Sequence, residues 1–336
     1  MSSMNKKLLA LAAIATFGAP VWAQSSVTLY GLVDLSVGSF QAAGADRLKM
    51  TESGKLSTSY IGFRGVEDLG GGLKAKFALE SFLRADAGMA ARSSTDAFWA
   101  RTSIVGLESA SLGSVALGRN TTPLFVSTVS YNPFGDSYGF SPSVRQYFVG
   151  ALYGDSGWNN SVLYSTPTWG GLTLSAGGNA GEGAAGATGK NATASAKFAV
   201  GGFSSMLVYQ NVKNGVAVIP AGFDHQRTVQ GNLSYDFGPV KAFGQYGQVK
   251  TGATVDVDTK LFQVGVSVPV GAGAVLLSHG QAKEEKGALT TTRKTTTAGY
   301  DHKLSKRTDV YAVYMYDQKT SLSSGNTVAV GMRHKF

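Results

Sequence analysis

The stretch LKAKFALESFLR, Leu73 to Arg84, alternates apolar and polar side chains along most of its length. Leu73, Ala75, Phe77, Leu79 and Leu83 share one parity, and Lys74, Lys76, Glu80 and Arg84 the other. Successive side chains of a strand point to opposite faces, so this segment has one apolar and one charged face. A soluble sheet shows the same alternation but must cover its apolar face with something. Nearly every neighbouring stretch has the same texture, and no helical segment is left over to act as a cover. A closed barrel in lipid satisfies both facts, with apolar faces against acyl chains and polar faces around water.

Working outward, sixteen such stretches are expected: 26–40, 57–66, 72–85, 97–108, 114–119, 158–166, 171–179, 190–200, 203–213, 225–237, 239–250, 258–268, 273–283, 293–303, 307–319 and 325–336. The connections alternate in length. Short ones fall at 67–71, 109–113, 167–170, 201–202, 238, 269–272 and 304–306. Long ones fall at 41–56, 86–96, 120–157, 180–189, 214–224, 251–257, 284–292 and 320–324. An even antiparallel barrel with both termini on the periplasmic side requires this alternation. Aromatics near strand ends suggest interfacial girdles: Tyr30, Phe63, Phe98, Tyr164, Trp169, Phe203, Tyr235, Phe237, Tyr300 and Tyr311.

Composition agrees. The 336 residues are 43% hydrophobic, with 44 glycines, 8 prolines and no cysteine. Mean hydropathy is +0.00, and no internal apolar run approaches the ~20 residues of a membrane-spanning helix. Thiolate chemistry and cysteine metal sites are excluded. The formal charge of +9 comes from scattered residues without a basic helix or cluster, so nucleic acid is not the expected partner. The N-terminus, MSSMNKKLLALAAIATFGAPVWA, has Lys6 and Lys7 before an apolar core, then Gly18 and Pro20, then Val21 and Ala23 at −3 and −1 of a cleavage site. This pattern predicts a signal peptide over 1–23 and a mature start at Gln24.

The connection 120–157 is far longer than the others, and loops of that length are usually functional. In a barrel too wide for side chains to fill, a loop folded into the lumen can set the aperture.

QSSVTLYGLVDLSV at 24–37, GFRGVEDLGGGLKAKFALES at 62–81, VGLESASLGSVALGRN at 105–120 and the closing VAVGMRHKF resemble the Gram-negative porins of the neisserial and burkholderial type. The resemblance covers essentially the whole mature chain and is most specific in its N-terminal third. It implies a trimer of sixteen-stranded barrels in the outer membrane, each pore constricted by loop 3. It also implies passive diffusion of small hydrophilic solutes and ions, with no cofactor. The terminal Phe336 is implied to be read by the outer-membrane assembly machinery. Outer-membrane lipid and lipopolysaccharide are the surrounding partners.

Strand parity then places residues. In the second stretch Ile61 and Phe63 are apolar, so Tyr60, Gly62 and Arg64 face the lumen. In the third, Glu80 faces inward. In the fourth, Ile104 is taken as outward and Arg101 as inward. Arg119 ends the fifth stretch, and Arg145 and Asp136 lie on loop 3. The resemblance makes Arg64, Arg101, Arg119 and Arg145, with Tyr60, Glu80 and Asp136, the expected pore constriction. Many relatives carry arginine where Tyr60 stands, which weakens the basic cluster. The excess of positive charge, with Glu80 and Asp136 too few to balance it, predicts a preference for anions.

Other motifs fail. GDSG at 154–157 lacks a matching histidine, GAAGATGKN at 183–191 lacks the first glycine and the hydroxyl residue of a phosphate loop, and the four histidines have no zinc spacing. Three alternatives remain. An outer-membrane enzyme would need a Ser–His pair, and Ser278 and His279 point to opposite faces. An adhesin would not conduct. A substrate-specific channel could use Tyr131, Phe134, Tyr138, Phe140, Tyr147 and Phe148 of loop 3 as an aromatic slide.

Overall fold

The computed structural model describes residues 26–179, 190–213 and 220–336, so the signal segment and most of 183–191 lie outside the described residues. In chain order the strands are β1 (Ser26–Phe40), β2 (Leu48–Ser53), β3 (Tyr60–Gly70), β4 (Leu73–Arg84), β5 (Met89–Ala90), β6 (Thr102–Ser109), β7 (Gly113–Thr121), β8 (Gly157–Ser165) and β9 (Leu172–Asn179). They continue as β10 (Ala192–Val200), β11 (Phe203–Val212), β12 (His225–Asp236), β13 (Lys241–Gly252), β14 (Val257–Val270), β15 (Gly273–Lys286), β16 (Leu289–Lys303), β17 (Thr308–Lys319) and β18 (Gly325–Lys335). Each pairs antiparallel with its neighbour, and β18 returns to β1 with Asp34 opposite Arg333. The barrel wall is therefore closed on itself.

Two short strands do not add wall positions. β1 pairs with β3 over its first half and with β2 over its second. Likewise β4 pairs first with β6 and then with β5. The barrel wall is sixteen strands around, as expected, with β2 and β5 rising from its loop end. Two expected loops are mostly strand. The 284–292 connection shrinks to Gly287 and Ala288 between β15 and β16, and 251–257 shrinks to 253–256. Polar residues there continue the ladder above the apolar band, where alternation no longer marks a strand.

The register fixes which side is which. Val105, Leu207, Tyr246 and Val264 are 58%, 57%, 58% and 54% exposed, all on one face. The opposite face is buried and polar, carrying Gln210, Gln226, Gln230, Gln245 and Gln263. An apolar belt of this extent matches hydrocarbon, not water. Trp169, Phe198, Tyr235 and Phe237 are exposed at the turn end of this belt. Tyr30 and Tyr311 are not girdle residues: Tyr30 donates to Glu80 and the buried Tyr311 to Asp34, both inward. Their partners lie on strands distant in sequence, so local position could not reveal this.

Loop 3, residues 122–156, holds α1 (Pro123–Ser130), α2 (Pro142–Gln146) and a π-helical turn over Tyr147–Ala151. Each α-helix starts on a hydroxyl followed by proline. Thr122 accepts from Phe125 N and Ser141 from Val144 N, while Pro123 and Pro142 occupy positions where no N–H is needed. The loop packs on the polar inner faces of the wall. Ser127 donates to Gln230, Gln245 donates to the Thr128 carbonyl at 2.9 Å, and Thr297 donates to the Phe140 carbonyl at 2.8 Å. Gly265 on β14 lets Pro133 approach, since a Cβ there would stand 2.7 Å from the proline Cδ. Leu124, Tyr131 and Tyr147 pack on Met206, Val208, Val249 and Leu261, forming a core inside the barrel.

Candidate functional site

The site begins with Gly62 of β3, which stands opposite Glu80 of β4. A Cβ at Gly62 would lie 2.9 Å from Glu80 Cγ and 3.1 Å from Tyr30 Cζ. Its absence lets the Tyr30 hydroxyl reach Glu80 Oε1 at 2.5 Å. Arg101 reaches the other carboxylate oxygen, with Nε 3.2 Å from Oε2. The Arg101 guanidinium lies 4.2 Å from the Tyr60 ring centre and 5.7 Å from that of Phe82. Arg64 lies 4.6 Å from the Tyr30 ring centre, and Arg92 lies 5.0 Å from that of Phe82. Tyr30 and Tyr60 themselves meet edge to face at 5.9 Å. Guanidinium and aromatic side chains thus alternate along the inner wall from Arg64 up to Arg92. Each cation–π contact contributes about 0.5–2 kcal/mol.

Arg101 is on the expected side for a different reason than parity. Ile104 stands opposite Ala78, which shares the inner face with Glu80, so Ile104 faces inward and Val105 faces out. β6 begins only at Thr102, and Arg101 precedes it, free of the alternation. Its backbone N–H donates to the Glu80 carbonyl at 3.2 Å, which turns the side chain inward. Tyr60 does not simply remove a charge; it provides the face on which Arg101 lies.

The other expected residues lie elsewhere. Arg119 sits at a register break between Gly118 and Asn120, and pairs with Asp155 at 2.5 Å and Asn159 at 2.7 Å. Arg92 grips the same Asp155 at 2.8 Å and Asp96 at 2.7 Å. Burial pushes the Asp155 carboxyl up, but the Arg92 and Arg119 guanidiniums outweigh it and hold the group at about 2. This cluster ties the end of loop 3 to the wall and to the β5–β6 connection. Arg145 is mostly buried; it donates to the Gly139 carbonyl at 3.2 Å and lies 3.7 Å from Asp317. Asp136 accepts from Thr58 Oγ1 at 2.9 Å, joining loop 3 to the segment before β3. Phe336 follows β18, and its backbone N–H and carbonyl both pair with Gly31. Tyr131, Phe134, Phe140 and Tyr147 are buried against the wall. Phe125, Tyr138 and Phe148 form an aromatic cluster on loop 3, with Phe148 also against the core of Tyr131 and Tyr147.

Several charged groups escaped the sequence reading, and they correct the statement that acids on the inner face are few. Asp34, Asp301, Asp309 and Asp317 also face inward. Each is engaged. Arg333 holds Asp309 at 2.8 Å and Asp301 at 2.5 Å; Arg293 holds Asp317 at 2.6 Å; Asp34 accepts from Leu56 N, Ser57 N and Tyr311. The β17–β18 hairpin puts Asp309 opposite Arg333, a pairing that counting back from the turn could have found. By contrast Arg64 and Arg84 have no carboxylate partner among the described residues. Among the described residues no group of side chains could hold a metal ion.

The Gram-negative porin family profile matches residues 10–321. The chain is 37% identical over 328 residues to outer membrane porin protein 32 of Delftia acidovorans, covering 92% of this chain and 88% of that one. It is 27% identical over 350 residues to the major outer membrane protein P.IB of Neisseria lactamica, covering 89% and 100%. An anion-selective porin from Comamonas acidovorans superposes with a TM-score of 0.80 at 29% identity, covering 93% of this chain and 100% of that one.

Proposed function

The chain belongs to the Gram-negative porin family, outer-membrane channels for passive diffusion, and on that premise we propose that it forms an anion-preferring pore narrowed by loop 3. The observation that carries this reading is the uncompensated guanidinium of Arg64 beside the Arg101–Glu80 pair. Asp34, Asp301, Asp309 and Asp317 on the inner face are each held by partners, while Arg64 and Arg84 have no carboxylate partner among the described residues. Fixed positive charges beside a narrow water-filled passage focus a positive potential that concentrates anions. Arginine stays charged at any physiological pH and presents a fork of donors to carboxylate or phosphate. Arg119, Arg145 and Asp136 then serve by holding loop 3 in place. Conduction needs no covalent step, so no reaction is assigned.

The reversal potential of the reconstituted channel in a potassium chloride gradient tests the reading. Anion selectivity at low salt that weakens at high salt is expected, because the Debye length falls from ~10 Å at 0.1 M to ~3 Å at 1 M. Cation selectivity at low salt overturns it. A substrate-specific channel is the second reading, favoured by the Phe125–Tyr138–Phe148 cluster; conductance that saturates with one solute would identify it. Residues 1–23 act as the export signal in this reading, the barrels associate as homotrimers, Phe336 is the assembly signal, and lipopolysaccharide surrounds the loop end.

A further inference from the structure

On the inner face, a crevice of about 270 Å³ lies between the π-helical turn of loop 3 and strands β14 to β17. It shares no lining residue with the Arg64–Arg101 site. Thr259 of β14, Glu284 of β15 and Thr291 of β16 stand side by side in register. Arg293 follows two residues along β16, directly opposite Lys319 of β17. Loop 3 contributes Val149 and Ala151 from its π-helical turn, a conformation frequent at functional sites. Gln146, 3% exposed, also lines the crevice, and neither polar atom of its amide has a hydrogen-bond partner among the described residues. A buried amide left without partners is costly, so this one marks a place where a polar ligand is gained at little further expense.

Two charges of opposite sign are left over around this crevice. Asp317 holds Arg293 through two bonds, of 2.9 and 2.6 Å, and lies 3.7 Å from Arg145. The Glu284 carboxylate and the Lys319 ammonium have neither an ion pair nor a hydrogen bond among the described residues. Lys286, two residues beyond Glu284 on β15, does not pair with it, and Tyr153 of loop 3 lies within its electrostatic reach. Glu284 and Lys319 stand on either side of β16 and two residues apart in register, about 12 Å between backbones. A solute carrying both charges close together bridges the gap that their side chains leave. A simple anion meets Glu284, and a simple cation meets Lys319, so the pair favours both charges in one molecule. The volume falls below the ~300–1,000 Å³ of drug-sized pockets and suits a small solute. We propose that the crevice is a binding subsite for a small aliphatic α-amino acid. Its carboxylate sits on Lys319, its ammonium on Glu284, and its side chain against Val149, Ala151 and Ala282. The Thr259 and Thr291 hydroxyls flank the ammonium, and the Gln146 amide supplies a further donor and acceptor. This solute class rests on the pore reading, because the crevice lies on the lumen face.

The test titrates the full protein, purified from outer membranes in non-ionic detergent, with L-valine, followed by saturation-transfer NMR of the valine methyls. Two analogues keep the side chain and drop one charge each: 3-methylbutanoate lacks the ammonium, and isobutylamine lacks the carboxylate. Wild type is expected to hold valine on the order of tenfold or more tighter than either analogue, the usual effect of one hydrogen bond to a charged group. This comparison needs no variant. Glu284→Gln should abolish the preference for valine over 3-methylbutanoate, and Lys319→Gln the preference over isobutylamine. Heat-modifiable mobility confirms that both variants are folded. Equal binding of valine and 3-methylbutanoate by wild type, which is anion attraction alone, overturns the site. So does a valine preference that both variants leave unchanged. Conductance of the same preparations reads the pore separately. A conducting channel without valine preference loses the site and keeps the pore, and valine binding by protein that does not conduct does the reverse.

Discussion

At the scale of single residues, selectivity depends on where guanidinium charge is left over. Arg101 is shared with Glu80 and stacked on Tyr60, and Arg64 is stacked on Tyr30 with no acid. Replacing both with glutamine should move the reversal potential toward the non-selective value while leaving the barrel folded. Because Glu80 would lose Arg101, its one ion-pair partner among the described residues, the shift should exceed that of Arg64→Gln alone. An unchanged reversal potential in the double variant would place the selective charges elsewhere. Parity placed Arg64 inward because β3 keeps its register with β4 from Tyr60 to Asp68. It misjudged Ile104, because Arg101 lies before β6 and only the pairing with β4 sets the phase.

At the scale of elements, loop 3 is held by side chains to the wall along its whole length. Gly265→Val should expel Pro133 from its socket, at a cost of about 1–3 kcal/mol for overpacking. If loop 3 sets the aperture, single-channel conductance rises or becomes noisy in this variant; a quiet channel of unchanged conductance would contradict that role. The end of the loop depends on Asp155. Its folded pKa of about 2 lies below the ordinary 3.8, so the contact with Arg92 and Arg119 stabilises the fold fully above the ordinary value. That contribution is lost as pH falls from ~4 through ~2. Closure events should therefore increase over that window in wild type. Asp155→Asn should show them at neutral pH and lose the dependence.

At the scale of the whole molecule, closure of the barrel rests on the seam between β1 and β18. The Phe336 ring occupies the space that a Cβ at Gly31 would need, and the backbones of the two residues pair in both directions. Deleting Phe336 removes those bonds and the ring from the β1–β18 seam. Folded, heat-modifiable protein in the outer membrane should fall while the periplasmic form persists; undiminished outer-membrane levels would refute an assembly role. Export itself predicts a mature N-terminus at Gln24, checked by the intact mass of protein taken from outer membranes. A chain there retaining residues 1–23 would contradict the signal.

The closed sixteen-stranded wall and the lipid-facing parity of most of its strands were determined by the sequence alone. Period-two alternation is a local property, and lipid enforces it on every strand. So was the inward placement of Arg64 and Glu80, which lie where β3 and β4 pair without a register shift. What only the tertiary structure decided was which charges remain unpaired. Arg333 finds Asp301 and Asp309, Arg119 finds Asp155, and Tyr311 finds Asp34 across 277 positions of chain. Loop 3 likewise turns four aromatics into the wall, leaving Phe125, Tyr138 and Phe148 as a cluster. Alternation tells each side chain which face it takes; only closure of the ring and docking of the loop decide which neighbour it meets there, because those contacts join residues with no local relation in the chain.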